Sequence, residues 1–191
     1  MSKVSIKGNP SGTGNFSIEA PNSNVDRTLN LPDEAGTVLT SSSSITQNNG
    51  PAFDAYHLSS ISTFIGASVF TKIPFQSKEF DTDDCFDNVT NYRFTPTVAG
   101  YYQLNAVVAV SDVNSDFFLS TIYKNGSRFR DGCNFPTTSE AGPVSNVSSL
   151  VYANGTTDYF EIYVIIEAST NVDVGGAESG GYFNGSLVRS E

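Results

Sequence analysis

The sequence predicts an all-β protein: a ten-stranded antiparallel jelly-roll sandwich over residues 52–191, preceded by a short β-rich module. Three observations predict it. Apolar and polar residues alternate over many short runs, the signature of strands with one face on a core. Gly, Pro, Asn, Asp and Ser punctuate those runs at turn spacing. Hydrophobic residues make up 38% and charged residues only 16% of the chain, with 16 Gly, a mix that suits exposed β-structure and lacks the helix formers of an α-protein.

The strongest run is residues 92–110, Tyr-Arg-Phe-Thr-Pro-Thr-Val-Ala-Gly-Tyr-Tyr-Gln-Leu-Asn-Ala-Val-Val-Ala-Val. Residues 96–100 read as a turn. After it, Tyr102, Leu104, Ala106, Val108 and Val110 fall on one strand face, with Gln103, Asn105 and Ala109 on the other. Before it come shorter strands at 52–58, 70–75 and 78–80, with Pro74 arguing for an edge or a kink. After it, residues 117–123 run into Lys124-Asn125-Gly126 and return through 127–130. Asn-Gly between strand-like runs predicts a tight hairpin, because both central residues tolerate positive φ. A second hairpin is expected between 147–152 and 159–166. The last strand, 182–188, is expected to close a sheet. About ten short strands must hide their edges, which two packed sheets in a jelly roll achieve.

Residues 1–40 differ. Runs at 15–20, 27–31 and 37–39 alternate, separated by Pro21-Asn22-Ser23-Asn24 and Pro32-Asp33-Glu34-Ala35-Gly36. Phe16, Ile18, Leu29, Leu31, Val38 and Leu39 are too few for a private core. The regular strand-turn-strand pattern favours burial against copies of the same segment. Residues 41–51, rich in Ser, Thr, Asn and Gly, form a linker.

Composition excludes several function classes. The formal net charge of -10 and the lack of any Lys/Arg run argue against nucleic acid and anionic membrane surfaces as partners. No apolar stretch approaches membrane-helix length. The N-terminus lacks the apolar core of a signal peptide, so synthesis in a cytoplasm without the usual export is expected. Cys85 and Cys133 either form one bridge or stay as thiols, and cytoplasmic synthesis favours thiols.

Two stretches resemble known families. Gly12-Thr13-Gly14-Asn15-Phe16-Ser17-Ile18-Glu19-Ala20-Pro21-Asn22 and Arg27-Thr28-Leu29-Asn30-Leu31-Pro32-Asp33-Glu34-Ala35-Gly36-Thr37-Val38-Leu39 resemble a module of bacteriophage tail-fibre and other virion fibre proteins. Ala52-Phe53-Asp54-Ala55-Tyr56, the 92–102 motif, Tyr123-Lys124-Asn125-Gly126 and Phe183-Asn184-Gly185-Ser186-Leu187-Val188 resemble, in order, the globular head of complement component 1q and the tumour-necrosis-factor-like superfamily. The first resemblance implies a virion protein, made in the host cytoplasm, whose N-terminal segment docks onto another virion protein. The second implies a tight homotrimer with both termini at the base and loops at the apex. It departs from the complement pattern in lacking a collagen-like stem; the fibre module stands there instead.

Signals for chemistry are sparse. One histidine, His57, cannot build a poly-His zinc site, and no spacing pairs it with Cys85 or Cys133 as base and nucleophile. No Gly-rich loop opens a helix to cradle phosphate. The acidic stretch Asp81, Asp83, Asp84 and Asp87 is the candidate calcium site, since hard oxygen ligands at close spacing can wrap one cation. Its spacing is not that of an EF-hand, which favours a solvated loop. Asp112 and Asp116 are a weaker candidate. A carboxylate pair for glycoside hydrolysis could also be drawn from the acidic loop, but no cleft is predictable. Aromatic residues, nine Tyr and fourteen Phe, belong mostly to core or subunit interface. Receptor contact, to a host surface glycan or protein, is expected from loops holding Asp112, Asn114, Asp116, Asn171, Asp173 and Glu178. A non-enzymatic trimeric fibre whose head attaches to a host surface is the preferred reading, with a purely decorating fibre as its alternative and a polysaccharide depolymerase behind both.

Overall fold

The computed structural model describes residues 10–14, 17, 19, 22–26, 28, 50–58, 64–65, 68–110, 117–134, 143–167, 172–174 and 181–191. Packing divides the chain into two units, Met1–Ser44 and Ile45–Glu191. The predicted fibre-module strands and the linker lie for the most part outside the described residues.

All described strands belong to the second unit. They are β1 (Ala52–Tyr56), β2 (Phe64–Ile65), β3 (Thr71–Lys72), β4 (Ser77–Asp81), β5 (Phe86–Asp87), β6 (Arg93–Phe94), β7 (Ala99–Ala109), β8 (Phe118–Lys124), β9 (Ser127–Asn134), β10 (Val144–Asn154), β11 (Phe160–Ile166), β12 (Val172–Asp173) and β13 (Gly181–Ser190). One sheet runs β10-β7-β13-β1-β4. The second runs β5-β6-β11-β8-β9, with β3 also on β11, and β12 pairs β2. Every pairing is antiparallel. The all-β sandwich is therefore as the sequence predicts, and the additional β2, β5 and β12 are two-residue strands, too short to show a period.

Strand β7 is the spine. Tyr102, Leu104, Ala106, Val108 and, beyond the strand's end, Val110 are all buried, as the alternation requires. β10 and β13 flank it on either side. Phe53 of β1 holds the centre of the core: its ring lies 5.0 Å from Phe86, 4.3 Å from Phe94 and 4.9 Å from Phe183. The buried Tyr102 hydroxyl donates to the Val98 carbonyl at 2.7 Å, which satisfies its one donor. Burial pushes that phenol's pKa up.

The Asn-Gly hairpin forms as read. Asn125 has φ 53° and Gly126 φ 75°, the left-handed pair that matches strand twist, and β8 pairs β9 across it. The second hairpin does not form. β10 pairs β7 while β11 pairs β8, β6 and β3, so residues 155–159 carry the chain from one sheet to the other. The Asn154 side-chain oxygen makes this possible by accepting from the backbone N–H groups of Thr156, Thr157 and Asp158 at 3.0, 2.9 and 3.0 Å. Asp158 then pairs with Lys124 at 2.8 Å. The last strand differs too. Instead of closing a sheet, β13 lies inside one, between β7 and β1.

Candidate functional site

The acidic loop folds around backbone donors. Asp81, at the end of β4, accepts from Cys85 N at 3.0 Å, Phe86 N at 2.9 Å and Lys78 Nζ at 2.9 Å. Asp87 accepts from Val89 N, Thr90 N and Asn91 N at 3.0, 2.9 and 3.0 Å, and from Asn91 Nδ2 at 2.8 Å. Asp84 is exposed and reaches Lys78 at 3.2 Å. The main-chain oxygen of Asp83 lies 3.5 Å from the Cys85 thiol. Asp81 and Asp87 thus act as turn caps. Among the described residues, no three His, Cys, Asp or Glu side chains converge as a metal-ligand group.

The N–H groups of Thr90 and Val89 hold the Asp87 carboxyl down to about 2. Such a carboxylate contributes stability above its unfolded pKa, and that stability is lost as pH falls from about 4 towards 2. Asp87→Ala is expected to lower stability by about 1 kcal/mol, a figure reduced for solvent screening of an open loop. Thermal melts of both proteins at pH 7 and pH 3 check this; a gap of the same size at the two pH values refutes the assignment.

Of the residues expected to contact a receptor, Asp112, Asn114, Asp116, Asn171 and Glu178 lie outside the described residues. Asp173 is half-buried on β12, opposite Phe64, and acts electrostatically on His57. His57 is buried just after β1, where its backbone N–H donates to Gly181 O at 3.0 Å. Burial lowers its pKa, partly offset by Asp173. An unfolded histidine takes up a proton below about 6.5 that the folded one refuses. Stability must therefore fall as pH drops through that value. The melting temperature is expected to decline from pH 7 to pH 5, less steeply in His57→Gln; parallel slopes would remove histidine as the cause. Cys85, buried in the turn between β4 and β5, and Cys133, exposed on β9, are both free thiols. Burial pushes the Cys85 thiol up, away from the thiolate that nucleophilic chemistry uses.

A different feature stands out on the outer face of the β10-β7-β13-β1-β4 sheet. Ten large apolar side chains are exposed among the described residues, and six of them, Tyr101, Val144, Leu150, Tyr152, Tyr182 and Val188, belong to β7, β10 and β13. Tyr101 and Tyr152 are cross-strand partners with their rings 5.5 Å apart, edge to face. Tyr152 Oη donates to Glu191 Oε2 at 2.6 Å. Tyr101, Leu150, Val188, Arg189, Ser190 and Glu191 line an open groove of about 480 Å³. Sequence reasoning missed this face, although a signal was present: the outward positions Val144, Leu150 and Tyr152 of β10 are apolar where a solvated strand would be polar.

No family model matches the chain, and no curated protein matches it. Solved structures do. The globular domain of zebrafish complement 1qA superposes with a TM-score of 0.51 at 20% identity, covering 75% of this chain and all of that one. Eiger TNF from S. frugiperda gives 0.56 at 6% identity, with 75% and 96% coverage. The fold is the complement 1q and tumour-necrosis-factor-like jelly roll. The PRD1 vertex protein P5 shares it, with a TM-score of 0.52 at 15% identity, 73% of this chain and 98% of that one. In this jelly roll the entry and exit of the chain lie together. Pro51 O accepts from Leu187 N, and Glu191 N donates to Ala99 O, at 3.0 and 3.1 Å. Val110, Val144 and Gly181 mark the opposite end of the same sheet, where Ala109 pairs Val144 and Val108 pairs Gly181.

Proposed function

We propose that this protein is a non-enzymatic virion component: a homotrimeric jelly-roll head that the N-terminal fibre module joins to a particle and that presents itself to a host surface. The observation that carries the reading is the apolar outer face of the β10-β7-β13 sheet. Six exposed aromatic and aliphatic side chains on one face are what a subunit interface buries, and a threefold arrangement would cover the same face on every copy. The likeness to a protein described as a phage vertex protein supports the virion setting.

The polarity of the head supports the host-contact part of this reading. Because Gly50 and Glu191 belong to one end, the opposite end would face outward, and Val110 and Gly181, which bound the segments 111–116 and 175–180 on one side, belong to that end. Asp112, Asn114, Asp116, Asn171, Asp173 and Glu178 would then supply hydrogen bonds to a surface glycan or protein, in three copies whose avidity multiplies a weak contact. Calcium has no assigned part in this reading, since the Asp81 and Asp87 oxygens already accept several donors each. The PRD1 likeness favours one second reading, a fibre that decorates the particle without a receptor.

Light scattering of the full chain gives the first test: a mass three times 20.4 kDa is expected, and a monomer overturns the assembly. Labelled trimer mixed with a panel of bacterial strains gives the second. Saturable binding that Asp112→Ala/Asp116→Ala or Asn171→Ala/Asp173→Ala abolishes supports attachment. A folded trimer that binds no strain leaves the decorating fibre.

A further inference from the structure

We infer that a belt of polar side chains across the outer face of the β10-β7-β13-β1 sheet locks the register of the assembly, with second copies of this chain as its partners. The inference rests on the trimeric reading and adds how one arrangement is selected. Gln103 Nε2 donates to Ser148 Oγ at 3.0 Å and to Asn105 Oδ1 at 3.3 Å. Ser148 Oγ donates to the same Asn105 oxygen at 2.8 Å. Asn105 Nδ2 donates to Asn184 Oδ1 at 3.2 Å, and Asn184 Nδ2 to Asp54 Oδ2 at 3.2 Å. One connected chain of hydrogen bonds therefore crosses four neighbouring strands.

Its position gives it a task. Tyr101, Leu150, Tyr152 and Val188 lie at one end of the face, Val144 and Tyr182 at the other, with the belt between them in the strand registers. Apolar contact is non-directional, so a purely apolar face tolerates sliding and alternative rotations. A polar band across it does not, because every misaligned arrangement buries donors and acceptors without partners. A single buried Asn sets register and oligomeric state in coiled coils by the same logic.

The belt is also self-complementary. Among the described residues, its internal bonds leave Asp54 Oδ1 and Gln103 Oε1 as acceptors, and the second N–H of Asn105 and of Asn184 as donors. Donors and acceptors on one face suit a rotated copy of that face. A strongly charged partner would call for a run of one sign, and Asp54 is the belt's one charged member.

Native mass spectrometry of the full chain, beside Asn105→Leu/Asn184→Leu and the milder Gln103→Met/Ser148→Ala, tests this, with circular dichroism confirming β-structure. The expected result is a single trimeric species for the wild type. For the variants, loss of that single species to a mixture of dimers, trimers and larger assemblies is expected. A wild-type trimer with variants just as uniform overturns the belt and leaves the trimer standing. A wild-type monomer overturns both. If the leucine variant does not fold, the milder pair decides by the same readout.

Discussion

Removal of residues 182–191 is expected to leave a chain with no cooperative melting transition. β13 pairs β7 over Gly181 to Ser190 and β1 over Tyr182 to Ser186. Deleting it takes out two hydrogen-bonded ladders at once and parts β1 and β4 from β7 and β10. It also removes Phe183 and Leu187 from the core, each worth about 1.5–3 kcal/mol of burial. Phe183 packs on Phe53, Phe75 and Phe86, so those rings lose a neighbour as well. Against a total stability of about 5–15 kcal/mol, the sum is not survivable. Circular dichroism and a thermal melt of the truncated chain check it. A soluble protein melting at the wild-type temperature would mean that the strand is dispensable and its place inside the sheet is wrong.

Phe53→Ala is expected to cost about 3–5 kcal/mol, the range for a large aromatic lost from a packed core. Three rings surround Phe53 within 5.0 Å. They come from β5, β6 and β13, hence from both sheets, and cannot all collapse onto the space left. The melting temperature should fall by on the order of 10 °C. Tyr101→Ala supplies the contrast. Its side chain is 44% exposed on the outer face, so the fold should keep most of its stability while the proposed trimer weakens. Chemical denaturation and light scattering of the two variants separate core from interface. Equal loss of fold stability in both would erase the distinction on which the interface rests.

If the head stands on its particle as proposed, the two faces of β7 divide the labour. The inner face, Tyr102, Leu104, Ala106 and Val108, builds the core. The outer face carries Tyr101 beside the polar Gln103 and Asn105, which in the proposed trimer would combine adhesion with register. Mutations on the outer face should therefore change assembly before they change folding.

Residue order by itself determined the all-β class, the positions of the longer strands and the inward face of β7, because a period of two is written in consecutive residues. It also determined the Asn125-Gly126 hairpin, whose backbone requirement sits in the two turn residues themselves. What it left open were pairings between distant residues. Nothing local distinguishes the turn after Asn154 from a hairpin turn. The Asn154 cap reaches only as far as Asp158; what holds the chain on the other sheet is the Lys124–Asp158 pair and the Asn125–Asp158 bond, and both need a folded neighbour. β13 reads as a terminal strand, and only its two partners place it in the middle. The carboxylates of the acidic loop could be read from spacing, but not the backbone N–H groups of residues 85–91 that Asp81 and Asp87 accept from, since those depend on how the loop folds. The exposed sheet face became visible only when strands far apart in sequence were laid side by side, since an apolar patch is a property of neighbours in space.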